Sequence, residues 1–108
     1  MNTLPSDRPL RILVVDRLKP VREEVRKFCS NQPGLCVIAE AWDGREALDL
    51  YRICRPDVVI INDALPGADG VPAATLILEQ DPHARILPLA AQDETLFGAL
   101  INLCGSRC

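Results

Sequence analysis

The run Val58-Val-Ile-Ile61 has no polar residue at any position. A strand with one wet face alternates apolar and polar residues, whereas a strand apolar throughout is covered on both sides. Four β-branched residues in succession also favour a pleated strand over a helix. Arg11-Ile-Leu-Val-Val-Asp16 repeats the pattern and ends in an acid. Two further runs, Leu35 to Ala39 and Arg85 to Ala90, fit shorter strands. Strands buried on both faces need covering layers on both sides, and the segments between them supply these.

Between the first two runs, Val21, Val25, Phe28 and Cys29 recur at helical spacing, with Pro20 at the start and Asn31-Gln-Pro-Gly34 as the stop. Asp43 and Glu46 form a capping pair for a second helix, with Ala47, Leu50, Tyr51 and Cys54 inward and Arg55-Pro56 at its end. A third helix is predicted from near Pro72 to about Gln80, broken by Asp81-Pro82, and a fourth from Asp93 to near Cys104. The loop from Asn62 to Gly70 carries Pro66-Gly67 and Asp69-Gly70. Strict alternation of strand and helix implies a parallel sheet with helices on both faces. Ligand sites of such sheets lie beyond the carboxyl ends of the strands. The residues there are Asp16-Arg17, Glu40, Asn62-Asp63 and Ala90-Ala91.

Composition narrows the function. The chain has 108 residues and a formal charge of -3, with its bases scattered. One small domain is expected at residues 10–108, after a polar tail at 1–9. No basic stripe marks a nucleic-acid surface, and no apolar run approaches the ~20 residues of a membrane span. With no signal peptide in the polar N-terminus, a cytoplasmic location is the expectation. The five cysteines, Cys29, Cys36, Cys54, Cys104 and Cys108, are read as small buried apolar thiols plus a free terminal one, and not as a disulfide framework. Cys104 and Cys108 have a possible two-ligand spacing, but no CxxC pair accompanies them. His83, beside Asp81-Pro82, is expected on a surface loop. Trp42 is expected to pack on the turn at Asp43-Gly44, with a partner-binding anchor as the other reading.

The motifs Arg11-Ile-Leu-Val-Val-Asp16, Val21-Arg-Glu23, Ala39-Glu-Ala-Trp-Asp-Gly-Arg-Glu-Ala-Leu48, Arg55-Pro-Asp-Val-Val-Ile-Ile61 and Leu65-Pro-Gly-Ala-Asp-Gly70 stand in one order and spacing. Together they resemble receiver domains of two-component response regulators, with the NarL/FixJ-like branch nearest. The resemblance runs from about Leu10 to Gly105. It implies a flavodoxin-like (CheY-like) parallel three-layer α/β sandwich, here lacking the fifth strand and fifth helix. In that family an acidic pair after the first strand and an Asp ending the third hold Mg²⁺. The third-strand Asp accepts a phosphoryl group, which a hydroxyl residue and a Lys then contact.

Carried onto this sequence, the set is degenerate. Asp16 matches the first acid, while Arg17 replaces the second. Asn62 occupies the acceptor position, and an amide cannot form an acyl phosphate. Ala90 stands at the hydroxyl position, and the Lys position would fall beyond Cys108. Asp63 is the alternative acceptor, but strand alternation points it to the wrong face unless a bulge re-aims it. Arg17 either faces water or lies over Asp16 in place of a metal.

The resemblance therefore implies a signalling module and not an enzyme, with no cofactor and doubtful Mg²⁺. Its partners would be a histidine kinase, an effector domain or another receiver. The alternatives are a phosphorylatable receiver using Asp63 with Asp16 and Mg²⁺, and a fragment of a longer DNA-binding regulator. A small thiol redox domain is a more distant reading, without a Gly-rich phosphate loop to support it. A missing last strand and helix would bare the Val21, Val25 and Phe28 face and invite a homodimer. Pro88, which cannot donate to a ladder, accords with an edge strand there.

Overall fold

The computed structural model describes residues 9–62 and 72–89. Its elements run β1 (Leu10–Val15), α1 (Lys19–Ser30), β2 (Leu35–Ala41), α2 (Gly44–Cys54), β3 (Val58–Ile61), α3 (Ala73–Gln80) and β4 (Ile86–Pro88). All described strand pairs are parallel, in the order β2-β1-β3-β4. The expected fourth helix, the tail and most of the loop after Asn62 lie outside the described residues.

The two apolar central strands do what their composition requires. On one face Ile12, Val14, Val58 and Ile60 pack with Val25 and Cys29 of α1. On the other, Leu13, Val15, Val59 and Ile61 pack with Ala47 and Tyr51 of α2 and with Ala73 and Ile77 of α3. Burying one such Val or Ile side chain removes apolar area worth about 1.5–3 kcal/mol. The expected inner face of α2 shifts slightly. Gly44, Ala47 and Tyr51 are buried, while Leu50 and Cys54 are half-buried.

β2 runs two residues further than expected, to Ala41, and its register slips by one residue. Ile12 pairs with Val37 but Leu13 pairs with Ala39, so Ile38 is a bulge. Before the bulge, Leu35 and Val37 face the α1 side. After it, Ala39 and Ala41 face the α2 side, which turns Glu40 toward α1. β4 is shorter than the Arg85 to Ala90 expectation. Its ladder continues through the Val59 N–H to the Arg85 carbonyl and the Leu89 N–H to the Ile61 carbonyl. Pro88 lies in that strand, which pairs only with β3 among the described strands.

The helix ends use side chains from elsewhere. Asp43 caps α2 by accepting from the Glu46 N–H at 2.8 Å. Glu46 reaches back not to the cap residue, as a capping box would, but to the Trp42 N–H at 2.9 Å. At the other end of α2, Arg11 donates to the carbonyls of Cys54 (2.7 Å) and Arg55 (2.8 Å). A guanidinium suits the carbonyl end of a helix dipole. Arg55 itself has φ 49°, the left-handed region that favours glycine.

Tyr51 of α2 donates its hydroxyl to Asp81, just after α3, at 2.6 Å. Burial, with the Asp81 charge, pushes the Tyr51 phenol up to about 12. The Tyr51 hydroxyl and the His83 N–H hold the Asp81 carboxyl below its ordinary value. Because Asp81 is largely solvated and water screens the contact, Tyr51→Phe should cost only about 0.5–1 kcal/mol at neutral pH. Because the folded value is depressed, this contribution is present above the ordinary carboxylate value and is lost as pH falls through the lowered one. Urea unfolding of parent and variant at neutral and acid pH should show the difference shrinking in acid; a constant difference would place the effect in packing instead.

Candidate functional site

Parallel pairing sets β1 and β3 side by side, with Val15 opposite Ile61, so the residues that follow each strand meet at one end of the sheet. Asn62 extends the ladder by donating its N–H to the Val15 carbonyl at 3.1 Å. Its side-chain amide donates to Asp16 Oδ2 at 3.2 Å. The other carboxylate oxygen, Oδ1, accepts the Leu18 N–H at 2.8 Å, closing the turn into α1. Asp16 is 3% exposed. A buried carboxylate is tolerable when hydrogen-bond donors meet it.

The turn carrying Asp16 and Arg17 is clamped from α1. Arg22 donates to the Asp16 carbonyl at 2.7 Å and the Arg17 carbonyl at 3.4 Å. The same guanidinium donates from Nε to Glu40 at 3.1 Å. Arg26 holds the second Glu40 oxygen. Burial alone would raise the Glu40 carboxyl, but the hydrogen bonds and charges of Arg26 and Arg22 outweigh it and hold the group below its ordinary range. Arg22 and Arg26 were not among the expected site residues. Their signal was present as two Arg four apart on α1, opposite an acid near the end of β2.

Arg17 is exposed, and its side chain makes no bond to Asp16. Of its two readings, water-facing and covering Asp16, the first is the one observed. Asp63 and Ala90 lie outside the described residues. Val25 is 2% exposed and belongs to the core, which removes it from any surface; Val21 and Phe28 are half-buried against the same cluster. His83 is exposed, as expected. Trp42, next to the turn at Asp43-Gly44, is 57% exposed. Burial pushes the Cys29 thiol up to about 11, with Cys36 adding and Arg26 opposing, so it is a poor nucleophile.

Mg²⁺ takes six oxygen ligands in near-octahedral array. Here Asp16 offers one carboxylate whose two oxygens already hold N–H donors, and the neighbouring Asn62 presents its NH₂ to it. Among the described residues no group of three or more His, Cys, Asp or Glu is placed to hold a metal. The described residues do not fit a Mg²⁺ site.

The comparisons with known proteins agree with the fold. A sequence profile of the response regulator receiver domain matches residues 12–102. A protein-glutamate methylesterase/protein-glutamine glutaminase of Myxococcus xanthus is 39% identical over 87 residues, covering 81% of this chain and 24% of that protein. The chain thus spans about a quarter of the length of that curated relative. Among solved structures, a LuxR-family two-component response regulator from an Aurantimonas species is 37% identical, with TM-score 0.69 over 90% of this chain and 69% of that one. The receiver domain of a NarL regulator from Mycobacterium tuberculosis is 29% identical, with TM-score 0.68 over 93% of this chain and 78% of that one. Among the described residues no helix is long and apolar enough to cross a membrane. Sheet order, core and profile match agree: the chain belongs to the response regulator receiver domain family of two-component signalling.

Proposed function

We propose that this receiver works without phosphorylation, as a protein-binding module of a two-component pathway. The carrying observation is the Asn62 amide donating to Asp16 Oδ2 at 3.2 Å. At the position that a phospho-acceptor would occupy stands an uncharged amide, occupied with the one retained acid. An acyl phosphate needs a carboxylate oxygen as nucleophile, and an amide, whose nitrogen lone pair is delocalised into its carbonyl, has none to offer, so no acyl phosphate forms there. The donor-filled carboxylate of Asp16 and the exposed cation at Arg17 likewise speak against Mg²⁺. What remains for the domain is contact: with a histidine kinase, an effector domain or another receiver, in the cytoplasm, with no catalysis of its own. Any enzymatic or DNA-binding output belongs to other domains.

Incubation with acetyl phosphate and Mg²⁺ should leave the intact mass unchanged. A phosphate-sized increase that disappears in Asp63→Asn would overturn the proposal and make Asp63 the acceptor.

A further inference from the structure

The geometry points to a docking site for an acidic, leucine-bearing peptide segment of a partner protein, centred on Leu18 and Trp42. This rests on the proposed binding function and names the surface and partner chemistry. Leu18 is 59% exposed and Trp42 57% exposed, both large and apolar. They share one end of the sheet, because β1 and β2 are neighbours with Val15 opposite Ala41 and the Asp16 N–H on the Ala41 carbonyl at 3.0 Å. Leu18 is the N-cap residue of α1, where a polar side chain would cap and Leu makes no cap bond.

Both backbones are nonetheless fixed. The Leu18 N–H is held by Asp16 and its carbonyl accepts from Val21 and Arg22. The Trp42 N–H is held by Glu46. Exposed anchors on a fixed backbone lose less entropy on binding. Charge selects the partner. Four acids near these two residues are hydrogen-bonded: Asp16 by Leu18 and Asn62, Asp43 by Glu46, Glu46 by Trp42, and Glu40 by Arg22 and Arg26. Arg17, Lys19 and Arg45 are exposed, and among the described residues their side chains have no hydrogen-bond or ion-pair partner. A chain of net charge -3 thus places three exposed cations, Arg17, Lys19 and Arg45, within three residues of its exposed Leu18 and Trp42. That combination steers acidic segments and gives them an apolar seat.

Trp42 is the only tryptophan, so its emission reports docking directly. An amphipathic peptide of Glu and Leu, free of aromatic residues, is titrated into the full chain. Saturable blue-shifted emission is expected. A Lys/Leu peptide of equal apolar content and a Glu/Ser peptide should give none. Arg17→Glu with Lys19→Glu, and separately Leu18→Ser, should each weaken binding roughly tenfold, a change of about 1.4 kcal/mol. Trp42→Ala should do the same when a labelled peptide is followed by anisotropy. No saturable shift with the Glu/Leu peptide, or an equal shift with Lys/Leu, overturns the site. The intact-mass assay on the same protein keeps the two proposals apart. Docking with a mass gain overturns only the phosphorylation-independent reading, and no docking with no mass gain overturns only this one.

Discussion

An Asn62→Asp chain should lose about 2–4 kcal/mol of unfolding free energy at neutral pH without divalent cation. The substitution replaces the NH₂ that meets Asp16 Oδ2 at 3.2 Å with a second negatively charged acceptor. Asp16, at 3% exposure, has little water to screen the clash. Two carboxylates sharing a site cannot both ionise at their ordinary value, so the pair retains a proton to higher pH in the folded state. A raised folded value gives stability that is present in acid and lost as pH rises through it. The variant should therefore approach the parent near the ordinary carboxylate range and fall away toward neutrality. Mg²⁺ should act in the opposite sense. Arg17→Asp combined with Asn62→Asp removes the cation and sets two new carboxyls beside Asp16, a donor set suited to a hard cation. Mg²⁺ at 100 times its dissociation constant would then stabilise the double variant by about 2.7 kcal/mol, with no gain for the parent. Urea unfolding with and without Mg²⁺ measures both effects. An Asn62→Asp chain as stable as the parent at neutral pH would show that the Asp16–Asn62 contact does not govern this end of the sheet. A parent stabilised by Mg²⁺ would show that the retained acid still binds metal.

Much of this arrangement was legible in the residues, and the exceptions have physical causes. Val58 to Ile61 and the segment after Leu10 are apolar on both faces, which dictates a covered parallel strand without reference to any neighbour. The α1 face of Val21, Val25, Phe28 and Cys29 follows from period alone. Sequence order also places Asp16 and Asn62 after adjacent strands. It does not say that the amide would donate to the carboxylate, since that depends on side-chain direction. The β2 bulge was invisible because Val37, Ile38 and Ala39 are all apolar and no alternation marks the slip. Arg11 at the end of α2 was equally hidden, being a contact across 43 residues. The exposure of Trp42 is a further feature that the sequence does not show. Large aromatic residues are usually mostly buried, so a Trp that is 57% exposed is a property that only the fold reveals.

Deleting Ile38 should leave the domain folded, at a loss of about 1–2 kcal/mol from its half-buried side chain. Removing one residue from a strand ordinarily throws every later side chain to the opposite face. Here the slip already exists. Val37 faces α1 and Ala39 faces α2, which are the positions of neighbours in a regular strand once Ile38 is gone. Glu40 would keep its place before Arg22 and Arg26, and Ala41 its place beside Ala47. Deletion of Val14 from the unbulged β1 makes the contrast. Val15 would move to the α1 side, and Asp16 would be drawn into the place of Val15 among Ala47, Tyr51 and Ile77. A carboxylate buried there has lost both the Leu18 and the Asn62 donor, and the turn that Arg22 clamps is pulled into the ladder. The expected loss is about 4 kcal/mol or more, enough to abolish cooperative folding in a domain of this size. Circular dichroism with urea titration of the two deletions decides the matter. If deleting Ile38 unfolds the chain as thoroughly as deleting Val14, the bulge is required for the twist of the sheet and is more than an accommodated extra residue.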